Sequence, residues 1–454
     1  MKSFIRQMAS DRYLLRIAAV AAIGGFLFGY DTGVIGGALL FVKKSLHAES
    51  NLAQQSIVAS LLLGAIVGAL AGGRLAGAFG RRRTLIAAGW IYVAGGLASA
   101  FSQELWQLVG ARLVLGLAVG AASFIAPMFI SELTPKQIRG GTVTFNQLML
   151  TFGIFAAYIA NWALQGVPDN WRWMVGIAAV PGLALAIGMH FAPSSPRWLV
   201  EKGRQKEATP ILRRLYKKQD VDAELREIET ASKQQSGYRA LLRPEVRPMI
   251  IVGVGLAAFQ QLVGVNTVIY YAPTILSFAG ANAGSALTQA LSIGVTNVVF
   301  TFAALLLIDR VGRRPLLIAG LSGLVVALIV LGAFFHFSWL HTHLPWIGLA
   351  ALLVYIAAFA IGIGPVFWLM ISEIYPTSIR GRAESVASVV NWGMNFVISF
   401  TFLTLVSAIT RAGTFWLYAA LGIAAIVFAC ARVPETRGRS LEQIQQQLGV
   451  GANQ

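Results

Sequence analysis

Apolar residues in this chain come in runs of about twenty, one after another from end to end, and that pattern limits the fold more than any single motif does. Twelve runs can be marked, near residues 14 to 36, 54 to 76, 85 to 101, 107 to 130, 142 to 163, 172 to 191, 248 to 277, 287 to 308, 316 to 337, 346 to 370, 383 to 407 and 413 to 432. Each has about the length an α-helix needs to cross a bilayer. With 56% hydrophobic residues, 12% charged ones and a mean hydropathy of +0.68, the chain is too apolar for a water-soluble domain. The reading is an all-α membrane protein with 12 transmembrane helices.

A net charge of +17 would suit a nucleic-acid binder, but the basic residues sort by side of the membrane instead. Alternate loops carry Lys2, Arg6, Arg12 and Arg16, then Arg74 and Arg81 to Arg83, then Lys136 and Arg139, then a dense set from Arg197 to Arg247. Arg310, Arg313, Arg314, Arg380, Arg382, Arg432, Arg437 and Arg439 continue the series. The opposite loops hold Lys43, Lys44, Arg172 and Arg411. By the positive-inside rule both termini are cytoplasmic, and the bilayer, not nucleic acid, is the expected partner. The basic opening residues run into a full-length span without a small-residue cleavage site, so no removable leader is expected. Short loops and a basic interior suggest a bacterial inner membrane.

Phe259 to Pro273, FQQLVGVNTVIYYAP, places Gln260, Gln261, Asn266, Tyr270 and Tyr271 inside an apolar run. On a regular helix Gln260, Asn266 and Tyr270 fall near one face and Gln261 on an adjacent one. Amides offer donors and acceptors, and phenols add a hydroxyl beside an aromatic plate, so the stretch suits a neutral, hydroxyl-rich ligand. The alternative is interhelical hydrogen bonding alone. Cys430 is the only cysteine, and His47, His190, His336, His341 and His343 form no ligand set within a span, so no metal or cofactor is expected.

The chain repeats. GRR at 80 recurs at 312, ISELTPKQIRG at 130 recurs as ISEIYPTSIRG at 371, and PSSPRWL from Pro193 matches PETRGRS from Pro434. Two six-helix halves follow, 1–192 and 248–432, joined by a linker at 193–247 with short amphipathic helices and ending in a tail at 433–454. Such halves commonly hold a substrate between them near the midplane. Glu132 and Glu373 each stand seven residues before an arginine, Arg139 or Arg380, and Arg81, Arg82, Asp309, Arg313 and Arg314 lie in the short basic loops. Charge pairs among them are expected to latch the halves on the cytoplasmic side; the alternative is that they only set topology.

Together FGYDTGVIGG from Phe28, the two GRR loops, the paired SE…P…IRG segments, PSSPRWL, FQQLVGVN…YYAP, GPVFW from Gly364, NWGMN from Asn391 and PETRGRSLE resemble the sugar porter family of the major facilitator superfamily, over essentially the whole chain. The family contains proton/sugar symporters and glucose facilitators. The resemblance implies sugar hydrogen bonds from Gln147, Gln260, Gln261, Asn266, Asn297 and Asn391, with Trp368 and Trp392 as aromatic faces. Asn395 and Phe28 are weaker candidates, and Gly362, Gly364 and Pro365 suggest a hinge in the tenth span. The chain departs from the family at Gly77 and Ala78, where relatives often carry polar or charged residues, and at Ser194, where many have glutamate.

Asp31 and Arg112 each lie about five residues from the outer ends of their spans, at a like depth of about 8 Å. A carboxylate there is costly and usually functional. Burial favours the neutral acid and a guanidinium favours the carboxylate, so movement of Arg112 would switch Asp31 between holding and releasing a proton. In the family resembled, an aspartate at this position accompanies proton-coupled members; a static ion pair is the alternative. The expected function is proton-coupled import of a neutral monosaccharide by alternating access, by a monomer that is not an enzyme. A sugar or polyol uniporter and a non-transporting sugar receptor are the competing readings.

Overall fold

The computed structural model describes residues 12–134, 139–215, 238–376 and 379–439, with a few positions of the central segment and tail. Among the described residues the long elements are all helices: α1 (Arg12–Ser45), α2 (Asn51–Phe79), α3 (Arg81–Ala100), α4 (Leu105–Leu133), α5 (Arg139–Leu164), α6 (Asn170–Gly176), α7 (Ala179–His190), α8 (Pro196–Glu201), α9 (Gln205–Leu215), α10 (Arg247–Leu262), α11 (Val265–Tyr270), α12 (Ala272–Phe278), α13 (Ala283–Val311), α14 (Arg313–His336), α15 (Ser338–His343), α16 (Trp346–Ile361), α17 (Ile363–Ile374) and α18 (Arg380–Arg432). A bilayer offers the backbone no hydrogen-bond partners, and a helix satisfies its own.

All twelve expected spans fall on these helices. Among the described residues ten helical stretches are long and apolar enough to cross a membrane. One of them, α18, is 53 residues long and breaks at Ile409 and Thr410, where Thr410 takes φ 69°. There the Thr410 hydroxyl accepts from the Gly413 backbone N–H at 3.2 Å, capping the second half of α18. Helix α3 has spanning length, but its first three residues are arginines.

Packing divides the chain into two compact units, one of residues 1–31, 60–157 and 172–235, the other of residues 32–59, 158–171 and 236–454. The repeat alone would have kept 32–59 and 158–171 with the first half. Hydrogen bonds inside the second unit account for the difference. Tyr158 Oη donates to the Ile269 carbonyl at 3.0 Å, and Asn161 Nδ2 donates to Gly33 and Val34 carbonyls at 3.3 and 3.2 Å. Asn51 Nδ2 reaches the Ser407 hydroxyl at 2.6 Å, and the Thr404 hydroxyl donates to Gln55 Oε1 at 3.1 Å.

In the first unit α2 and α4 meet backbone to backbone. A Cβ at Gly120 would lie 2.0 Å from the Ala65 carbonyl oxygen, and one at Gly116 2.1 Å from that of Leu61. Small residues let helices touch where lipid supplies no hydrophobic drive. Of the expected linker helices, α8 and α9 bury Trp198, Leu199, Val200 and Ala208 together, and Leu225 and Ile228 pack on them. The Trp198 indole donates to the Gly77 carbonyl at 2.9 Å. Most of the remaining linker helix expected after α9 lies outside the described residues, as do Lys2, Arg6, Lys136 and the Arg139 side chain.

The close approach at Gly120 predicts that Gly120→Val sharply lowers the yield of monodisperse protein and its thermal midpoint. Gly110→Val, on the same helix with open space around it, leaves both unchanged. Fluorescence-detected size exclusion of the two variants checks this; equal profiles would remove the α2–α4 contact as a determinant of folding.

Candidate functional site

The polar stretch FQQLVGVNTVIYYAP does not form one helix. Helix α10 ends at Leu262, and Gly264 takes the left-handed conformation at φ 85°, so α11 starts on a new axis. A side chain at Gly264 would be strained, and its Cβ would lie 2.5 Å from the Tyr418 ring. The break changes the face geometry expected of a regular helix: Gln261 stands in the middle of a cluster rather than on a separate face.

The cluster is an amide network. Gln260 Nε2 donates to the Ile363 and Gly364 carbonyls, each at 3.2 Å, where α17 begins after the backbone break at Gly362. Its Oε1 accepts from Asn391 Nδ2 at 2.7 Å and from Gln261 Nε2 at 3.3 Å. Asn391 also donates to the Ala257 carbonyl at 3.2 Å. Gln261 donates again, to Asn391 Oδ1 at 3.2 Å, and accepts from Asn266 Nδ2 at 2.7 Å. Gln260, Gln261 and Asn391 are 4%, 4% and 6% exposed, so these bonds are made away from bulk water.

An amide has two N–H groups and two lone pairs on oxygen. Gln260 has used all four and acts as the frame. What the network leaves open among the described residues is one proton and the carbonyl of Asn266 and one lone pair each on Gln261 and Asn391. That set donates and accepts without charge, as a hydroxyl-bearing ligand requires.

Around it, the Tyr355 hydroxyl donates to the Val263 carbonyl at 2.8 Å, holding the break, and Tyr271 donates to the Ser399 carbonyl at 3.1 Å. Asn395 Nδ2 lies 3.4 Å from the Tyr270 hydroxyl. Asn297 is buried on α13 and accepts from Thr301 at 3.5 Å. Trp392 is buried, whereas Trp368 is 39% exposed and leans on Phe367 at 4.7 Å between ring centroids. Gln147 belongs to the other unit, partly buried on α5, as is Phe28 on α1.

In the first unit Arg112 NH2 meets Asp31 Oδ2 at 3.2 Å. Both residues are 1% exposed. The neighbouring phenols are engaged elsewhere: Tyr30 donates to the Met174 carbonyl at 3.0 Å and Tyr92 to that of Leu27 at 3.1 Å. A guanidinium and a carboxylate are thus held in contact within two spans and away from water.

The charged loops form the same brace twice. Arg81 donates to Glu132 at 2.8 Å and Ser195 donates to the other Glu132 oxygen; Arg313 donates to Glu373 at 2.9 Å and Thr436 to its other oxygen. Arg81 also reaches Glu201 at 3.4 Å, and Arg313 reaches Asp309 at 3.5 Å. Arg82 caps the end of α7 through the Met189 and His190 carbonyls, and Arg314 donates to the Cys430 carbonyl.

These contacts select the partners from among the expected charges. Glu373 meets Arg313 rather than Arg380, which donates to the Tyr375 carbonyl at 3.0 Å. Each brace joins helices of its own half. Ser195 and Thr436, not singled out in the sequence, were marked there by the match of PSSPR to PETRG.

That match also places Ser194 opposite Glu435. Glu435 accepts from the Arg313 and Arg314 backbone N–H groups, both at 3.1 Å, and from that of Arg437 at 2.8 Å. It caps the start of α14. Partial burial opposes its ionisation, but these N–H groups prevail and hold the carboxyl below its usual range. Helix α3, which starts at Gly80 without a side-chain cap, has no such carboxylate.

A break-ridden bundle of membrane helices enclosing uncharged amides defines a polytopic membrane protein of the carrier type. Residues 17–448 match the family model described as "Sugar (and other) transporter". The chain is similar to a D-xylose transporter of Levilactobacillus brevis, 42% identical over 430 residues, covering 94% of each chain. It is also similar to the arabinose-proton symporter of Escherichia coli K12, 38% identical over 442 residues, covering 96% of this chain and 93% of that one. Among solved structures, a partially occluded inward open xylose transporter from E. coli superposes with a TM-score of 0.84 at 32% identity, covering 95% of this chain and 100% of that one. The chain belongs to the sugar porter family of the major facilitator superfamily and is a multi-pass membrane protein.

Two outcomes follow from this geometry. Asn266→Ala removes open bonding capacity and is expected to weaken sugar binding about tenfold, roughly 1.4 kcal/mol, without loss of yield. Gln260→Ala weakens binding and also lowers the thermal midpoint, because it strips partners from Asn391 and two carbonyls. Equilibrium binding with unchanged affinity in both variants would remove the network from the site. The Glu435 cap, in turn, is fully present above the unfolded carboxylate value of about 4.3 and is lost as pH falls through the lower folded value. Glu435→Gln is therefore expected to lower the thermal midpoint at about pH 7 and to shrink the loss between about pH 5 and about pH 3; an unaltered acid profile would contradict the cap.

Proposed function

We propose that the protein is a proton-coupled importer of a neutral monosaccharide, working as a monomer by alternating access, with both termini in the cytoplasm of a bacterial cell. The observation that carries the coupling is the buried Asp31–Arg112 pair, a carboxylate kept inside two spans at a cost that a passive scaffold has no need to meet. The amide network supports a sugar as cargo. It presents both donors and acceptors and no charge, and it suits hydroxyls that need partners once they leave water. Relatives named as a D-xylose transporter and an arabinose-proton symporter support the same class.

In this reading Asp31 takes a proton when Arg112 is drawn away and gives it up when the guanidinium returns. The sugar, held by Asn266, Gln261 and Asn391 with Asn297, Trp368 and Trp392 contributing, biases which state the carrier occupies. The braces at Glu132 and Glu373 keep the cytoplasmic ends of each half rigid, so that each moves as a body. No covalent chemistry is needed, and the protein is read as a carrier rather than an enzyme.

The test is uptake of labelled D-xylose, L-arabinose, D-glucose and myo-inositol into energised vesicles. Asp31→Asn keeps an amide beside Arg112 but no titrating group. It is expected to abolish uptake above equilibrium while sparing sugar binding and exchange. Concentrative, protonophore-sensitive uptake by this variant would place the coupling elsewhere, and equilibration alone by the unmodified protein would make it a uniporter.

A further inference from the structure

Helix α18 carries a second acid on the side of the amide network. Asn391 points at α10, since its side chain bonds Gln260 and the Ala257 carbonyl. Counting by helical turns, Glu384, Ser388, Asn391, Asn395 and Ser399 make one stripe along α18. Glu384 sits two turns from Asn391, about 10 Å, toward the end that begins with Arg380. It is only partly buried.

Its surroundings leave the carboxyl uncommitted. Among the described residues it makes no hydrogen bond and no ion pair, although Arg380 and the Tyr375 phenol are both within electrostatic reach. Arg380, one turn before it and thus its natural helical partner, donates both Nε and NH2 to the Tyr375 carbonyl instead. Tyr375 is fully buried, and among the described residues its hydroxyl has no partner. Other charges on the elements packed here are Arg382 on α18, Arg247 in the first turn of α10, Arg239 in the short helix Tyr238–Leu242, and Glu373 on α17. Glu373 is already held by Arg313 and Thr436.

We propose that Glu384 is a second proton-exchanging carboxyl of the carrier, placed between the sugar network and the cytoplasm. This rests on the coupled-import reading given above. Glu384 as the neutral acid leaves Arg380 on the Tyr375 carbonyl, as observed. When its O–H bond breaks, the proton passes to cytoplasmic water as hydronium and the electron pair stays on the carboxylate. The carboxylate then draws Arg380 off the Tyr375 carbonyl and accepts the Tyr375 hydroxyl proton in a hydrogen bond. The connection between α17 and α18 is loosened by the same step. Since α17 supplies the carbonyls that anchor Gln260, and α18 supplies Asn391, the proton is linked to the grip on the sugar.

Equilibrium exchange of the best-transported of the four sugars, without a proton gradient, tests this. In everted vesicles the bath meets the cytoplasmic face, and exchange by the unmodified protein is expected to change about fivefold or more between about pH 5.5 and about pH 8.5. Glu384→Gln should flatten that dependence to within about twofold, leave the bath-pH dependence in right-side-out vesicles intact, and keep sugar affinity within about twofold. Glu384→Asp should restore the dependence. In the unmodified protein an apolar carbodiimide, which attacks protonated carboxyls, should modify Glu384 less as cytoplasm-side pH rises, read by peptide mass spectrometry. The inference is overturned if Glu384→Gln keeps the full cytoplasm-side profile, if the unmodified protein has none, if only affinity changes, or if Glu384 is never modified. Failure of the unmodified protein to concentrate sugar would sink the coupled-import reading instead, because gradient-free exchange still reports what Glu384 senses.

Discussion

Hydrocarbon supplies no hydrogen bonds, so every polar group taken into the bilayer must be partnered inside the protein. That constraint shapes both the fold and the site. It makes the spans helical, and it makes each interruption of a helix a place where backbone groups become available to side chains. The break at Gly362 frees carbonyls for Gln260, and the break at Gly264 brings Asn266 back onto Gln261. Breaks that would be faults in a plain anchor become the means by which a neutral recognition surface is assembled. The cost of unpaired polar atoms then keeps that surface in one arrangement until a ligand offers better partners.

The repeat shows which parts of this design are common to both halves and which are not. Arginine, glutamate and a hydroxyl form the same brace at Arg81, Glu132 and Ser195 and at Arg313, Glu373 and Thr436. Below the braces the halves diverge. The second has Glu435 on the first turn of α14, and the first has Ser194 at the matching place. The second carries the amide network and Glu384, and the first carries the Asp31–Arg112 pair. The neutral amide network and the deeply buried ion pair thus lie in different halves, an arrangement in which neither has to compromise its own dielectric surroundings.

The helical class was legible in hydropathy, and the expected apolar runs fall on helices, because burial in lipid writes itself into long stretches of sequence. Gln260, Gln261, Asn266 and Asn391 stood out for the converse reason, that amides are expensive there. Asp31 and Arg112 could be matched by depth alone. Other features were hidden. A regular helix was assumed through Gly264, and only the left-handed backbone at that residue shows how Gln261 bridges its neighbours. Spacing left the partner of Glu373 open, and it is Arg313, sixty positions away. Glu384 was overlooked because it lies beside arginines at a helix end, where an acid reads as part of the polar boundary. Its alignment with Asn391 follows from the helical count along 383 to 407, but nothing in the sequence shows that Arg380 turns to the Tyr375 carbonyl and leaves it without a partner among the described residues.

The central claim is that one molecule moves sugar and proton together, and the most direct measurement is proton flux driven by sugar. Unenergised vesicles containing the purified protein, lightly buffered, receive a transported sugar outside, and external pH is recorded. The account predicts that sugar flowing down its gradient carries protons inward, so that the medium turns alkaline with a time course matching sugar entry and the signal vanishes with a protonophore. Sugar entry at an undiminished rate with no pH change would contradict it.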